Sequence, residues 1–564
     1  MAALAADVTA PQAIKRAIDL GIAEADLGAV ALFALAAMGL LVLRGLLTGA
    51  HDFLIQYMSR KVARDMMAEF YDHLQQLSYS YFDRAETGDL ISRAISDIES
   101  ARLAVGMALF QMITISGTFV VVFAIMFITN WQLALIGMAA LPILLGVALR
   151  FGHTIRRLWT RVQAQRSIST GVLTENLTGV RVVKAFAQEE REIERFTESV
   201  RELNRRVLTA MRQWSLYFPV MLFLSSLGTV AVVWFGGYLT VSGVLTVGSL
   251  VAFYYYFVRL APPSRRIGFV VQRLQTGIAS AERVFEILDI KPQIASEPGA
   301  LEPSGCAGQV VFESLGFGYR DDEPVLKDIQ LEIAPGKVIG IIGPTGSGKS
   351  TLVNLIPRFY DATSGRVLVD GHDVKHLDLR WLRSHIAIVP QDAYLFTNTL
   401  AKNIAYARPR SNAAEVARAA AQAQASRFIE GLPERYETVV GERGTSLSGG
   451  QRQRVTISRA LLMSAGILIM DDSTASVDTG TEQLIREALR KAFKGRTTII
   501  IGQRVSTVRD ADEILVMDKG RIVERGDHES LLAKNGLYAS IHRLQAPDAG
   551  RSAGRGARAG ARDA

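Results

Sequence analysis

Five uncharged apolar runs, all in the first half of the chain, limit its folds more than any other feature. They lie at 27–43, 105–129, 133–149, 215–239 and 245–258. A helix needs about 20 such residues to cross a bilayer. Runs 105–129 and 215–239 meet this outright. Run 133–149 reaches it with Trp131 as an interfacial anchor. The first extends past Arg44 and the last past Arg259, because the aliphatic stem of each arginine can carry its charge to a membrane face. The predicted spans are therefore 27–50, 105–129, 131–149, 215–239 and 241–260. Residues 1–26 lack the apolar core of a signal peptide.

Loop charge sets the orientation. Residues 130–132 and 240–244 hold no Lys or Arg, whereas 150–212 hold thirteen and 51–104 hold six. The basic loops belong in the cytoplasm, and their length requires helices that project well beyond the lipid. Five spans with a cytoplasmic C-terminus would put residues 1–26 outside. Lys15 and Arg16 resist that mildly, so either the N-terminus crosses on its own or an earlier span is missing. Composition adds exclusions. Hydrophobic residues make up 49% of the 564, which rules out wholesale disorder. Cys306 is the only cysteine, which rules out a disulfide scaffold. A net charge of +8 is too dilute to indicate a nucleic-acid partner.

Residues 1–290 read as the membrane domain. Residues 291–308, with Pro292, Pro298 and Pro303, read as a linker. From 309 to 545 short apolar runs alternate with helical segments, as in an α/β domain. Residues 546–564 are low-complexity and read as a disordered tail.

The α/β half carries three phosphate-related signals. Gly343-Pro-Thr345-Gly346-Ser347-Gly348-Lys349-Ser350-Thr351 fits a phosphate-binding loop between a buried strand at 338–342 and a helix from 351. Its glycines let backbone N–H groups close around phosphates, at a helix N-terminus that favours anions. Lys349 is expected on the terminal phosphates and Ser350 on Mg²⁺. An apolar strand at 467–470 ends in Asp471, which beside that loop would complete the Mg²⁺ shell. Leu447-Ser448-Gly449-Gly450-Gln451 precedes a helix, with Ser448 as its N-cap and two glycines exposing further N–H groups.

In combination these motifs resemble an ATP-binding cassette exporter half-transporter, a polytopic α-helical membrane domain fused to an α/β P-loop ATPase domain. The resemblance covers 9–544 and includes FDRAETGDLISRAISDIES, ENLTGVRVVKAFAQEE and GYLTVSGVLTVGSLVAF. It implies ATP and Mg²⁺ as ligands, a plasma-membrane location with the ATPase domain in the cytoplasm, and a second half-transporter as partner. It also implies contact with lipid and a hydrophobic or amphipathic substrate, with no nucleic acid. In that family each ATP lies between the phosphate loop of one domain and the LSGGQ of the other.

Residue roles follow from the same resemblance. Tyr319 is expected to stack on adenine, Gln391 to contact Mg²⁺, Glu442 to meet the cytoplasmic loops and Asp478 to link the two sites. Coupling helices are expected around 86–96 and 179–186. Two positions depart from the pattern. Asp472 stands where the family has a glutamate that orients the attacking water, and Gln503 stands where it has a histidine. A carboxylate one methylene shorter engages the water poorly, and Gln503 cannot carry an imidazolium charge. With Ser448–Gln451 intact, the chain resembles the degenerate-site subunit of a heterodimeric exporter whose partner supplies Glu and His. A homodimeric lipid or drug flippase with slow turnover and an ATP-gated regulatory subunit are the alternatives. The family carries six spans per half, and 9–26 resembles the loop after the first.

Overall fold

A computed structural model describes residues 2–320, 322–441, 444–472 and 495–545. The chain divides into two units, 1–75 with 86–290, and 76–85 with 291 onward.

The first unit is helical: α1 (Ala2–Arg16), α2 (Leu27–Gln76), α3 (Thr87–Thr129), α4 (Trp131–Thr178), α5 (Glu189–Val241) and α6 (Val247–Leu288). Helices α2 to α5 are long and apolar enough to cross a membrane, and each runs far past its apolar stretch. The span predicted over 241–260 is shorter. Val241 still belongs to α5, the chain turns through 242–246, and the apolar part of α6 is Val247–Leu260. Thr246 makes that turn a helix start by accepting a hydrogen bond from Ser249 N.

Residues 9–26 are not the expected loop. The Ala-rich start favours helix, and α1 continues into a π-helical turn over Ala17–Ile22. This segment docks on α6. The Tyr256 hydroxyl donates to Val8 O at 2.6 Å, and the Asp19 carboxylate accepts from Gly248 N at 2.8 Å and Thr246 Oγ1 at 2.7 Å. Small residues let the apolar helices approach. A Cβ on Gly137 would lie 2.7 Å from Val232, and one on Gly236 would lie 2.5 Å from Leu250.

The second unit is α/β. Its strands are β1 (Val310–Phe317), β2 (Leu326–Ile333), β3 (Val338–Ile342), β4 (Ser364–Val369), β5 (His372–Asp373), β6 (Ile386–Val389), β7 (Ile467–Asp471), β8 (Thr497–Gly502), β9 (Glu513–Asp518) and β10 (Arg521–Gly526). They form a four-stranded sheet, β2-β1-β4-β5, and a six-stranded sheet, β10-β9-β3-β8-β7-β6. In the larger sheet β9, β3, β8, β7 and β6 run parallel. Their continuous apolar sequence follows from burial on both faces. Ile339, Ile341, Ile469, Ile499, Ile501 and Met517 share one core with the smaller sheet.

Candidate functional site

Four adjacent parallel strands deliver their carboxyl ends to one edge of the larger sheet, the usual ligand-binding edge of an open α/β sheet. After β3 comes the loop Gly343–Gly348, which leads into α7 (Lys349–Asn354). After β8 comes Gln503, β7 ends in Asp471 with Asp472 just beyond it, and after β6 come Pro390 and Gln391. The sequence reading put Asp471 on a strand beside the phosphate loop. The structure inserts β8 between β3 and β7. Sequence order carries no information about that crossover.

The loop's glycines have local reasons. Gly346 and Gly348 sit at φ +81° and +96°, the left-handed region where a Cβ is strained. A Cβ on Gly343 would lie 2.1 Å from Met517 O of β9, so only glycine fits between the loop and its neighbouring strand. Lys349 is buried, and its ammonium donates to Gly343 O at 3.0 Å and Pro344 O at 2.8 Å. Burial pushes its pKa down, against the pull of Asp471 and Asp472. The Ser347 hydroxyl is buried with no hydrogen-bond partner among the described residues. Thr345 and Gly346 form the exposed outer rim of the loop.

Burial raises the pKa of Asp471, while a hydrogen bond from Ser350 and the charge of Lys349 oppose the rise. The Ser350 hydroxyl and the Asp471 carboxylate, hydrogen-bonded to each other, are hard oxygen donors of the kind that suit Mg²⁺, and Gln391 follows the neighbouring strand β6. Asp472 is buried beside it at φ +41°. Its N–H donates to Ile501 O of β8 at 3.0 Å. Gln391 and Gln503 have exposed side chains, and Gln503 O accepts from Gln545 Nε2 at 2.7 Å.

Tyr319 is half exposed, with its hydroxyl 3.2 Å from Thr351 Oγ1 at the start of α7. Its ring meets Tyr360 edge-on at 5.3 Å and Phe317 at 5.0 Å. Ser448 and Gln451 form a reciprocal capping box on α8 (Gly449–Leu462). Ser448 Oγ accepts from Gln451 N at 3.3 Å, and Gln451 Oε1 accepts from Ser448 N at 2.9 Å. Gly449 and Gly450 open that helix. Arg459, further along α8, donates to Asn403 O at 2.9 Å and Tyr394 O at 3.2 Å. It therefore ties α8 to the segment that follows Gln391. Glu442 and Asp478 lie outside the described residues.

Sequence reasoning missed one contact cluster. Residues 76–85 group with the α/β unit, whereas coupling was expected from 86–96, which is the start of α3 in the helical unit. Tyr79 stacks on Phe359 at 4.3 Å, the Tyr360 hydroxyl donates to Asp83 Oδ2 at 2.8 Å, and Ser80 donates to Gln293 at 3.0 Å. Burial, with Asp83 next, pushes the Tyr360 pKa up. The aromatic stretch Tyr79–Phe82 was the available signal. The other expected coupling segment is a short helix, Val180–Ala185, whose flanking Phe186 is 72% exposed.

Comparison with known proteins agrees with this architecture. The family model for the ABC transporter transmembrane region matches residues 1–261, and the ABC transporter model matches 326–475. An ATP-dependent lipid A-core flippase of Syntrophus aciditrophicus is 40% identical over 492 residues, covering 87% of this chain and 82% of that protein. A fatty acid ABC transporter ATP-binding/permease protein of Mycobacterium bovis is 38% identical, covering 90% and 80%. Among solved structures, a bacterial Atm1-family ABC exporter with ATP bound superposes with a TM-score of 0.80 at 30% identity, covering 97% of this chain and 96% of that one.

Proposed function

The chain belongs to the ABC transporter family as an exporter with fused membrane and ATPase domains, and on that footing we propose that it is the slow-site subunit of a heterodimeric exporter. The coarse activity is ATP hydrolysis coupled to export of lipid or drug substrates across the plasma membrane, with the ATPase domain in the cytoplasm. The finer reading rests chiefly on one observation: Asp472, a short carboxylate held in a left-handed backbone, directly follows strand β7 and its terminal Asp471.

In this reading the N–H groups of Thr345–Ser350, with the Ser347 hydroxyl, hold the ATP phosphates. Lys349 shifts from its loop carbonyls to the terminal phosphates. Tyr319 presents its half-exposed ring to adenine. Ser350, Asp471 and Gln391 hold Mg²⁺, which when bound neutralises charge on the phosphate oxygens. Asp472 is the remaining base for the attacking water, and its short reach makes that step slow. Gln503 offers the γ-phosphate a neutral hydrogen bond. Ser448–Gln451 complete the ATP site of a non-identical partner that carries Glu and His at the matching positions. Asp478 and Glu442 keep their proposed roles in linking the two sites and meeting the cytoplasmic loops.

The test is the Mg²⁺-ATP turnover of the purified chain alone in lipid nanodiscs. The expected value is below about 1 s⁻¹, under the ordinary enzyme range. Turnover well inside that range by the unaltered homomer would overturn the proposal.

A further inference from the structure

One side chain from the far end of the α/β unit reaches the loop that carries Gln503. After β8 the chain passes through Gln503 and Arg504 into a short helix, α9 (Val505–Val508). The first N–H groups of a helix have no partner within it. Arg504, the N-cap residue, makes no side-chain cap, and a guanidinium has no acceptor to offer. The acceptor comes from 40 residues further along the chain. Gln545 Oε1 accepts from Val505 N at 2.7 Å, and Gln545 Nε2 donates to Gln503 O at 2.7 Å. One amide thus brackets the backbone on both sides of Arg504.

Gln545 ends helix α10 (Leu537–Gln545), which is itself held in place. At its start the Glu524 carboxylate of β10 accepts from Leu537 N and, at 3.3 Å, from Tyr538 N. Tyr538 is buried, with Ile541 packed beside it, in a core that includes Val505 and Val508 of α9. The Tyr538 hydroxyl lies 2.7 Å from His528 Nδ1. β10 and β8 are three places apart in the larger sheet, a separation of about 14 Å. A helix of nine residues is about 13 Å long, so α10 has the length to run from Glu524 to the loop after β8.

The end of β8 is tied on its other side as well, because Ile501 O accepts from Asp472 N at 3.0 Å. Gln503 therefore sits between two ties, one to the residue after β7 and one to α10. Its own side chain is exposed. An exposed side chain takes little orientation from packing, so the aim of the Gln503 amide depends on how firmly its backbone is held. Small misplacements of a group at a reacting centre are costly.

We propose that Gln545 is a positioning residue for ATP hydrolysis: its amide holds the loop after β8 so that the Gln503 side chain meets the γ-phosphate. This rests on the γ-phosphate role given to Gln503 above.

The test uses the full-length protein in phosphatidylcholine nanodiscs, with Mg²⁺-ATP turnover read as release of radiolabelled phosphate. Q545A should lower kcat about fivefold, the worth of one ordinary hydrogen bond, with KM held within about twofold because ATP binding is not what Gln545 serves. Hydrogen exchange of the 503–508 backbone, read without nucleotide, should be about fivefold faster in Q545A. Q545E keeps an acceptor for Val505 N but has no donor for Gln503 O, so it should match Q545A in kcat. L544A, at the 87% exposed neighbour, should change nothing. The double variant Q503A/Q545A should turn over no more slowly than Q503A, because Gln545 acts through Gln503. Wild-type turnover in Q545E would overturn the inference by reducing Gln545 to a cap for α9. Unaltered kcat or unaltered exchange in Q545A would overturn it too, as would losses that multiply in the double variant while Q503A alone is slow. Full turnover in Q503A would instead remove the γ-phosphate role of Gln503, and this inference with it.

Discussion

At residue scale the account turns on Asp472. A left-handed backbone is tolerated by Asp better than by most L-residues, because its short polar side chain can bond locally. Burial and a backbone bond to Ile501 hold it there. Replacing Asp472 with Glu restores the missing methylene and the reach of a general base, a group that contributes roughly 10²–10⁴-fold when well placed. The expected outcome is a rise in ATP turnover of about tenfold or more, with thermal stability slightly lowered by the longer side chain at positive φ. Unchanged turnover in D472E would place the slow step elsewhere. Lys349 shows a related economy of charge. Burial lowers its pKa, and two loop carbonyls occupy its donors; in the proposed reading phosphate oxygens replace them.

At the scale of elements, the sequence made some features plain and hid others. The phosphate loop, its strand and its helix were legible because a glycine pattern, a buried apolar run and a helix start fall in one order. The capping box at Ser448 was half legible: the N-cap was evident, while the return bond from Gln451 required the folded geometry. Strand order was hidden, since β8 comes after β7 in the chain yet lies between it and β3. The helical start of the chain was missed because polar and charged residues interrupt the apolar pattern of 2–22. Asp19 and Tyr256 make its tertiary contacts across more than 200 residues. The grouping of 76–85 with the α/β unit was hidden because its aromatic rings pack on Phe359 and Tyr360, more than 270 residues away. That cluster makes its own prediction. Tyr360 touches both Asp83 and the ring of Tyr319, so it connects the 76–85 segment to the aromatic beside the phosphate loop. Tyr360→Phe keeps the ring and removes the bond to Asp83. It should leave ATP binding within about fivefold, because an exposed hydrogen bond contributes only about 1 kcal/mol, while transport per ATP hydrolysed in proteoliposomes falls. Equal coupling in wild type and Y360F would remove Tyr360 from the link.

At the scale of the whole molecule, an ATP-hydrolysing unit and a helical membrane unit on one chain make an exporter half. In the proposed reading Ser448–Gln451 and the altered pair Asp472 and Gln503 serve different ATP sites, so the chain is expected to bind nucleotide and turn it over at unequal rates on its two faces. Photolabelling in membranes from producing cells tests this directly. With azido-ATP at low temperature, before any hydrolysis, this chain should be labelled through its phosphate loop, and K349A should abolish the label. After turnover with vanadate, which traps ADP only at a hydrolysing site, labelling of this chain should not rise above the untrapped level. Strong vanadate-dependent trapping on this chain, lost in K349A, would contradict the account by showing that its own site hydrolyses ATP at full competence.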